Sequence, residues 1–471
     1  MKTWARATAA LAFLLGMTGC GQLSPGRAAR LSTAYVSQEL CTAVFLAGRD
    51  AAHYHARALA PLGGPLAPLL SYSVDRERGE VRSTLAGLAE SRAVYQPPLG
   101  CTLAGGAGAP GLDRRPASPA PVARDALTDF GGPAPVVPTN AALKAAIDQA
   151  FEETERPPHR YTDAVVVVQG GRIVAERYAP GVDVNTPLLG WSLGKSVLNA
   201  LAGVLVQQGR LDVHQPAPVA AWEGAEDPRH AITVDQLLRM TSGLAMGESL
   251  RTGLAAAFDP SVQLMQIEPD TAARAARTPL AHPPGTVWTY SNGNTQVLAG
   301  IVRDLAGGTG AATRAWAKRA LFERIGMRQV TLEFDAAGAP LAASRVWAPA
   351  RDWARLGLLF LRDGVLGGER LLPAGWVQYS ATLTPGSEAL GYGAGFWTNR
   401  DGGQGARARI AAGMPADAFM ARGSKGQYVV IVPSADLVVV RLGQAWTSRE
   451  DEAAVSRLTR AAIDAGRQPR P

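Results

Sequence analysis

Lysine is almost missing from this sequence. Among 471 residues only Lys2, Lys144, Lys195, Lys318 and Lys425 carry an ammonium group, and arginine supplies most of a net charge of +7. Histidine and cysteine are also scarce, at six and three residues. His53, His55, His159, His214 and His230 show no metal spacing with cysteines or acid clusters. His53 and His55, two apart on a helical run, are expected to split across its faces. No metal site and no cofactor are therefore expected. The basic residues are scattered, with no basic run interleaved with aromatics, which argues against nucleic acid as a partner. Beyond the N-terminal stretch, no apolar run is long enough to cross a bilayer. What remains is globular in composition, 47% hydrophobic and 18% charged. The length suffices for a sizeable core and more than one domain.

The N-terminal stretch reads as an address. Lys2 and Arg6 precede an apolar run over 7–16, and Met17-Thr-Gly-Cys20 follows. Residues 1–20 have the layout of an export signal. Its end is similar to a bacterial lipobox, with methionine at the position more often held by leucine and with Cys20 as the lipid-modified residue. The expected location is the cell envelope or periplasm, with a membrane partner through the lipid. In an exported protein Cys41 and Cys101 are expected to form one disulfide.

Composition divides the rest. Residues 21–30 read as a tether, and 31–101 as a mixed segment with helices over 33–47 and 51–60. Residues 102–139, rich in Gly, Ala and Pro, read as a linker or surface strap. Residues 140–466 hold the remaining elements. A helix is expected over 140–155, and a hairpin over 164–178 across Gly170-Gly171. A helix over 192–208 ends at Gly209 and is apolar around most of its circumference, hence buried. Thr233-Val-Asp-Gln236 is a capping-box pattern. Further helices fall near 311–324, 350–362, 373–381 and 450–465, and strands near 391–398, 418–423, 428–433 and 437–442. Strands at both ends with helices between them imply an α+β sandwich, an antiparallel sheet flanked by helices, with a mostly helical insert.

The chemistry concentrates in Gly190-Trp-Ser-Leu-Gly-Lys195. On a helix, positions i and i+3 share a face, so the Lys195 amine is expected beside the Ser192 hydroxyl. Serine becomes a useful nucleophile only when a neighbouring base takes its proton. A lysine can do so when burial lowers its pKa, whereas arginine stays charged. A second element, Tyr290-Ser-Asn292, follows the Pro283-Pro-Gly285 turn and precedes a helical run. A phenol there can shuttle a proton, and an asparagine amide can orient a carbonyl. Read alone, the motif is better taken as a tyrosine packed under a loop and an asparagine capping the next helix.

Together, in this order, these motifs resemble the serine β-lactamase and penicillin-binding-protein superfamily, in the class C branch that also holds 6-aminohexanoate-dimer hydrolases and β-lactamase-like esterases. The resemblance covers roughly 140–465. It implies Ser192 as the acylated nucleophile, Lys195 as its base partner and Tyr290 as a second proton-transfer group, with the acylation base shared between the last two. Asn292 would assist substrate orientation. The third family motif, Lys-Thr-Gly or His-x-Gly on a late strand, matches Ala421-Arg-Gly423 with its cation replaced by Ala421. The stretch is similar to an Ala-x-Gly-x-x-Gly-Gln pattern of the hydrolase and esterase branch. The resemblance then implies an oxyanion hole from the backbone N–H groups of Ser192 and Ser424, beside Gly423.

Gly190-Trp-Ser-Leu-Gly194 also fits the G-x-S-x-G elbow of α/β-hydrolases. That fold needs a buried strand before the serine and a late histidine. Here 183–187 is polar and broken by proline, and the last histidine is His282. The expected function is therefore an exported serine hydrolase acting on a small-molecule ester or amide. The alternatives are a D,D-peptidase or β-lactamase, and a non-catalytic envelope binding protein that keeps the fold.

Overall fold

The computed structural model describes residues 25–87, 89–104, 130–157, 159–224, 226–247, 259–446 and 448–467. The signal-like stretch, Cys20 and positions 105–129 of the linker lie outside the described residues.

Helix α1 (Pro25–Phe45) opens the described chain. Six positions expected as tether, 25–30, are thus helical. Proline is tolerated in a first turn, and Ala29 and Leu31 are already buried. A helical run over 51–63 follows, broken in its middle by a π-turn at His55–Leu59. Four strands then form an antiparallel meander in the order β1-β2-β3-β4: Leu70–Asp75, Glu80–Leu85, Ala89–Tyr95 and Cys101–Leu103. α1 packs across this meander, and Cys41 on the helix is joined to Cys101 on β4 by a disulfide.

α2 (Ala141–Ala150) stops short of the expected 155. The Thr162 hydroxyl and the Arg160 guanidinium donate to the carbonyls of Ala150 and Gln149 at its end, in place of another helical turn. β5 (Thr162–Gln169) and β6 (Arg172–Tyr178) form the expected hairpin. β7 (Leu188–Leu189) leads into α3 (Leu193–Gln207), and the helical insert that follows includes α4 (Asn292–Leu305). The capping box at Thr233 and Gln236 is formed. β8 (Thr331–Leu332) and β9 (Val346–Ala348) join β7 in a small sheet. α5 (Ala350–Leu361) and the short hairpin β10 (Val365–Leu366) and β11 (Glu369–Arg370) come next.

The expected strand over 391–398 is reduced to β12 (Trp397–Thr398). Gly391 and Gly395 hold φ of +78° and +79°, outside any strand conformation. This lets the chain lie close on α3, where the Ser196 hydroxyl donates to the Gly395 carbonyl and the Asn199 amide to that of Ala394. β13 (Phe419–Gly423), β14 (Gln427–Val432) and β15 (Leu437–Gly443) finish the sheet, and α6 (Ser448–Arg467) closes the chain.

The main sheet is antiparallel throughout, in the order β12-β13-β14-β15-β5-β6. β5 is buried on both faces. Ala164, Val166 and Val168 face the core that holds α3 and α5, while Val165 and Val167 face the side covered by α2 and α6. A strand sandwiched this way reads as a continuous apolar run, as Val165 to Val168 do. The segment 130–136 lies beside β6. Val136 exchanges hydrogen bonds with Glu176, and the Arg351 guanidinium donates to the carbonyls of Gly132 and Ala134.

The N-terminal segment packs on the catalytic region rather than standing apart. Leu189 and Trp347 share a core with Leu40, Val44, Tyr54 and Val81. Arg49 is ion-paired with Asp163 of β5 at 3.0 Å, both buried. Glu333, fully buried, accepts from the Thr42 hydroxyl at 2.5 Å and the Trp347 indole at 3.1 Å, with Arg345 at 3.8 Å. Burial pushes its carboxyl up to about 7, against the opposing pull of Arg345 and these donors. In the unfolded chain the group ionises first. Its contribution to stability is therefore complete below about pH 4.5 and is lost as pH rises toward 7. Urea unfolding across this window should show a decline of roughly 3 kcal/mol that Glu333→Gln removes; the same slope in both proteins would refute it.

Candidate active site

The turn before α3 is built under constraint. Trp191 sits at φ +50°, a left-handed conformation rare for a bulky residue and frequent at functional sites. A Cβ on Gly190 would lie 2.3 Å from the Trp353 ring, so glycine is required there. Ser192 follows as the N-cap of α3, beside the partial positive charge of a helix N-terminus. Thirteen consecutive residues of α3, Leu193 to Leu205, are buried, which takes the Lys195 stem out of water.

Three acceptors surround the Lys195 amine. Its Nζ lies 3.1 Å from Ser192 Oγ, 2.7 Å from Asn292 Oδ1 and 3.1 Å from the Ala343 carbonyl. Lys195 is 3% exposed. Asn292 is itself fixed: its backbone N–H donates to the Ser261 hydroxyl and its amide to the Ser261 carbonyl. Ser291 caps α4, with its hydroxyl also donating to the Met246 carbonyl. The asparagine expected to orient substrate thus holds Lys195 in place. Neither Ala343, which acts through its backbone, nor Ser261 carries a pattern that sequence reading could have found.

Tyr290 is buried, and its ring face lies 4.8 Å from the Lys195 Nζ, a favourable site for an ammonium. Tyr392, edge-on at 5.6 Å, and Trp397, at 5.6 Å, wall the ring in. Trp288 packs on Tyr392. The Trp288 indole N–H and the Ser344 hydroxyl next to Ala343 are buried without hydrogen-bond partners among the described residues. Such groups are costly to leave unsatisfied. Trp191 joins a different cluster, stacked on Tyr35 at 6.1 Å.

Gly423 ends β13 against this turn. A Cβ there would meet the Gly190 carbonyl oxygen at 2.2 Å and the Ser192 nitrogen at 3.1 Å. The backbone entering Ser424 therefore crosses close to the backbone of Ser192. Ala421 is buried in the core and offers no charge. Arg422 points to the other face of β13, paired with Glu452 at 2.7 Å and lying over the Trp397 ring. Burial works against its charge, but Tyr428, Glu452 and Tyr290 raise its pKa above the ordinary arginine value. Lys425 is turned toward the N-terminal segment. No group of three or more His, Cys, Asp or Glu residues with metal-binding geometry occurs among the described residues.

An antiparallel sheet that joins the hairpin at 162–178 to the last strands of the chain, with a serine and a buried lysine at the start of a central helix, defines the β-lactamase/transpeptidase-like fold. A family model described as Beta-lactamase matches residues 147–463, and the chain belongs to that family. It is 28% identical over 311 residues to a 6-aminohexanoate-dimer hydrolase of Paenarthrobacter ureafaciens, covering 63% of this chain and 74% of that one. Among solved structures it is similar to a penicillin-binding protein homologue from Caulobacter crescentus, at 18% identity and a TM-score of 0.53, over 72% of this chain and all of that one (100%). It is similar also to EstA from Arthrobacter nitroguajacolicus Rue61a, at 17% identity and a TM-score of 0.50, over 70% of this chain and 98% of that one. These two likenesses concern the fold. The chain is a β-lactamase-fold hydrolase.

The contact at Gly423 sets a test. Gly423→Ala places a methyl between two backbones, neither of which yields like a flexible side chain. Activity that depends on Ser192 should fall by about 100-fold, since displacements near 1 Å at a reacting centre cost this much. A kcat/KM within a few-fold of wild type would show that the approach is not needed.

Proposed function

We propose that the protein is an exported serine hydrolase that cleaves a small-molecule ester or amide through an acyl-enzyme on Ser192. The observation that carries this reading is the surroundings of Lys195. A neutral amine has two N–H groups and one lone pair. Such an amine can donate to the Asn292 and Ala343 oxygens, at 2.7 and 3.1 Å. Ser192 Oγ lies 3.1 Å from the same nitrogen, so when the amine is neutral its lone pair is within reach of the serine proton.

In this reading Ser192 Oγ attacks the carbonyl carbon as its proton passes to Lys195. The tetrahedral oxyanion is met by the backbone N–H groups of Ser192 and Ser424, aided by the α3 N-terminus. Collapse breaks the bond to the leaving group, which departs with a proton delivered by way of Lys195 and Tyr290. Water then enters, gives its proton to the same pair and releases the acid. The Tyr290 ring face beside the amine favours the transient ammonium.

The substrate class is argued from charge. With Ala421 at the motif's first position, nothing there attracts a substrate carboxylate, and Arg422 and Lys425 are engaged by Glu452 and by the N-terminal segment. This favours neutral esters and amides over carboxylate-bearing β-lactams. The relative named 6-aminohexanoate-dimer hydrolase supports amides as one substrate class. The lipobox-like run ending at Cys20 supports export and membrane anchoring.

Hydrolysis of a short-chain p-nitrophenyl ester by protein lacking residues 1–20 tests the reading. Ser192→Ala and Lys195→Met should each lower kcat by roughly 1000-fold or more, as loss of a nucleophile or its base does elsewhere. Equal turnover by wild type and Ser192→Ala would mean the nucleophile is wrong. Stable covalent labelling by a penicillin, with no ester turnover, would move the protein to the peptidase class.

A further inference from the structure

Lys425 occupies the turn between β13 and β14, directly after Ser424, at φ +60°. A lysine in a hairpin turn normally extends into water. Here the side chain is only 7% exposed, and its contacts come mostly from the far N-terminal part of the chain. Its Nζ donates to the Ala58 carbonyl at 2.7 Å and to the Tyr35 hydroxyl at 3.3 Å, with the Glu39 carboxylate at 3.8 Å. The rings of Trp191, Trp446 and Tyr35 surround it, with centroids at 4.9, 5.1 and 5.9 Å. Its own carbonyl accepts from the Ala445 N–H at 3.0 Å and from the Gln427 amide at 3.0 Å.

The N-terminal segment is shaped to receive it. Pro61 has no N–H, so the Arg57 carbonyl lacks its usual helical donor. The Trp446 indole N–H takes that place at 3.0 Å. Glu39 is fully buried and also accepts from the Tyr54 hydroxyl at 3.0 Å. An ammonium and a carboxylate placed together in a dry aromatic site hold their geometry tightly, since moving either one leaves a buried charge alone.

Two features tie this site to the chemistry. Trp191, one wall of the cage, is the residue before Ser192 and is held in a left-handed conformation. Ser424, on the other side, is the residue before Lys425. We infer that Lys425 is a positioning residue: it lets the N-terminal segment clamp the Ser424 turn to Trp191, and so fixes the spacing between the Ser192 and Ser424 backbone N–H groups. The inference rests on the acyl-enzyme reading above. It gives residues 35–58 a part in catalysis without contact to substrate.

Lys425→Met keeps the length of the side chain and removes its charge. It should lower kcat for the p-nitrophenyl ester by about 10- to 100-fold, the scale expected for a donor misplaced by a fraction of an ångström to 1 Å, with KM little changed. Phenylboronic acid, which forms a tetrahedral adduct on the serine, should lose affinity by a similar factor. An unchanged kcat, a change in KM alone, or a fall in kcat with unchanged boronate affinity would each overturn the inference. Should Lys425→Met fail to fold, Glu39→Gln, which removes only the counter-charge, is judged by the same three readouts. Ser192→Ala in the same assay separates the two levels. If it is inactive while a folded Lys425→Met behaves as wild type, only this inference fails; if it is as active as wild type, the acyl-enzyme reading fails first.

Discussion

The pairing of β15 with β5 holds the architecture together. Leu437 to Gly443 align with Gln169 to Thr162, joining segments more than 260 residues apart in sequence. Contacts of such separation are entropically costly to close. Here the cost is offset by a valine-rich ladder buried on both faces, where each side chain removes apolar surface from water. Everything at the site hangs from this ladder. β14 and β13 continue it on one side and carry Gly423 to the turn at Ser192. The β5–β6 hairpin continues it on the other and leads into the turn that holds Ser192. The helical insert, entered after α3 and left before α5, brings Asn292 and Ala343 to Lys195 from the far side.

Buried charge recurs where the N-terminal segment meets this frame. Arg49 with Asp163 and Lys425 with Glu39 are nearly or wholly buried pairs across the boundary, and the buried Glu333, beside Arg345 of its own region, accepts from Thr42 of α1. Pairs of this kind contribute little net stability, because desolvation cancels most of their attraction. Their strength lies in direction: each is satisfied in one arrangement only. The two pairs across this boundary, with the Thr42 hydroxyl bonded to Glu333, add direction to the apolar packing that seats α1 and the run over 51–63 on the catalytic region. The disulfide between Cys41 and Cys101 then restrains the segment that supplies these partners.

Much of this was legible in the sequence, and the remainder was hidden for definite reasons. Val165 to Val168, the Gly170-Gly171 turn and the late strand runs announce the antiparallel sheet because period and turn chemistry are local. Ser192 and Lys195 stand out because three-residue spacing on a helix dictates proximity, and the two are 3.1 Å apart. Tyr290 was visible by its neighbours Ser291 and Asn292, but not its orientation, which Tyr392 and Trp397 determine. The Ala343 carbonyl is a backbone group and has no signature in residue identity. The cage around Lys425 draws on Tyr35, Ala58, Trp191 and Trp446, whose approach depends on the finished fold. Expecting a tether over 21–30 undervalued Ala29 and Leu31, whose burial carries α1 back to Pro25. The expected strand over 391–398 is cut short because Gly391 and Gly395 adopt positive φ, which residue type permits but does not dictate.

The segment at 130–136 has a consequence for the protein in crowded surroundings. β6 ends the main sheet and would otherwise offer a row of unpaired amide and carbonyl groups, the usual template for strand-to-strand aggregation. Val136 takes up the Glu176 N–H, and Arg351 binds the segment down through Gly132, Ala134 and Glu176 itself. The opposite end of the sheet is β12, two residues long and too short to recruit a second chain. The molecule thus carries its own edge guard, and proteolytic nicking within this strap should expose a self-associating sheet before it unfolds anything else.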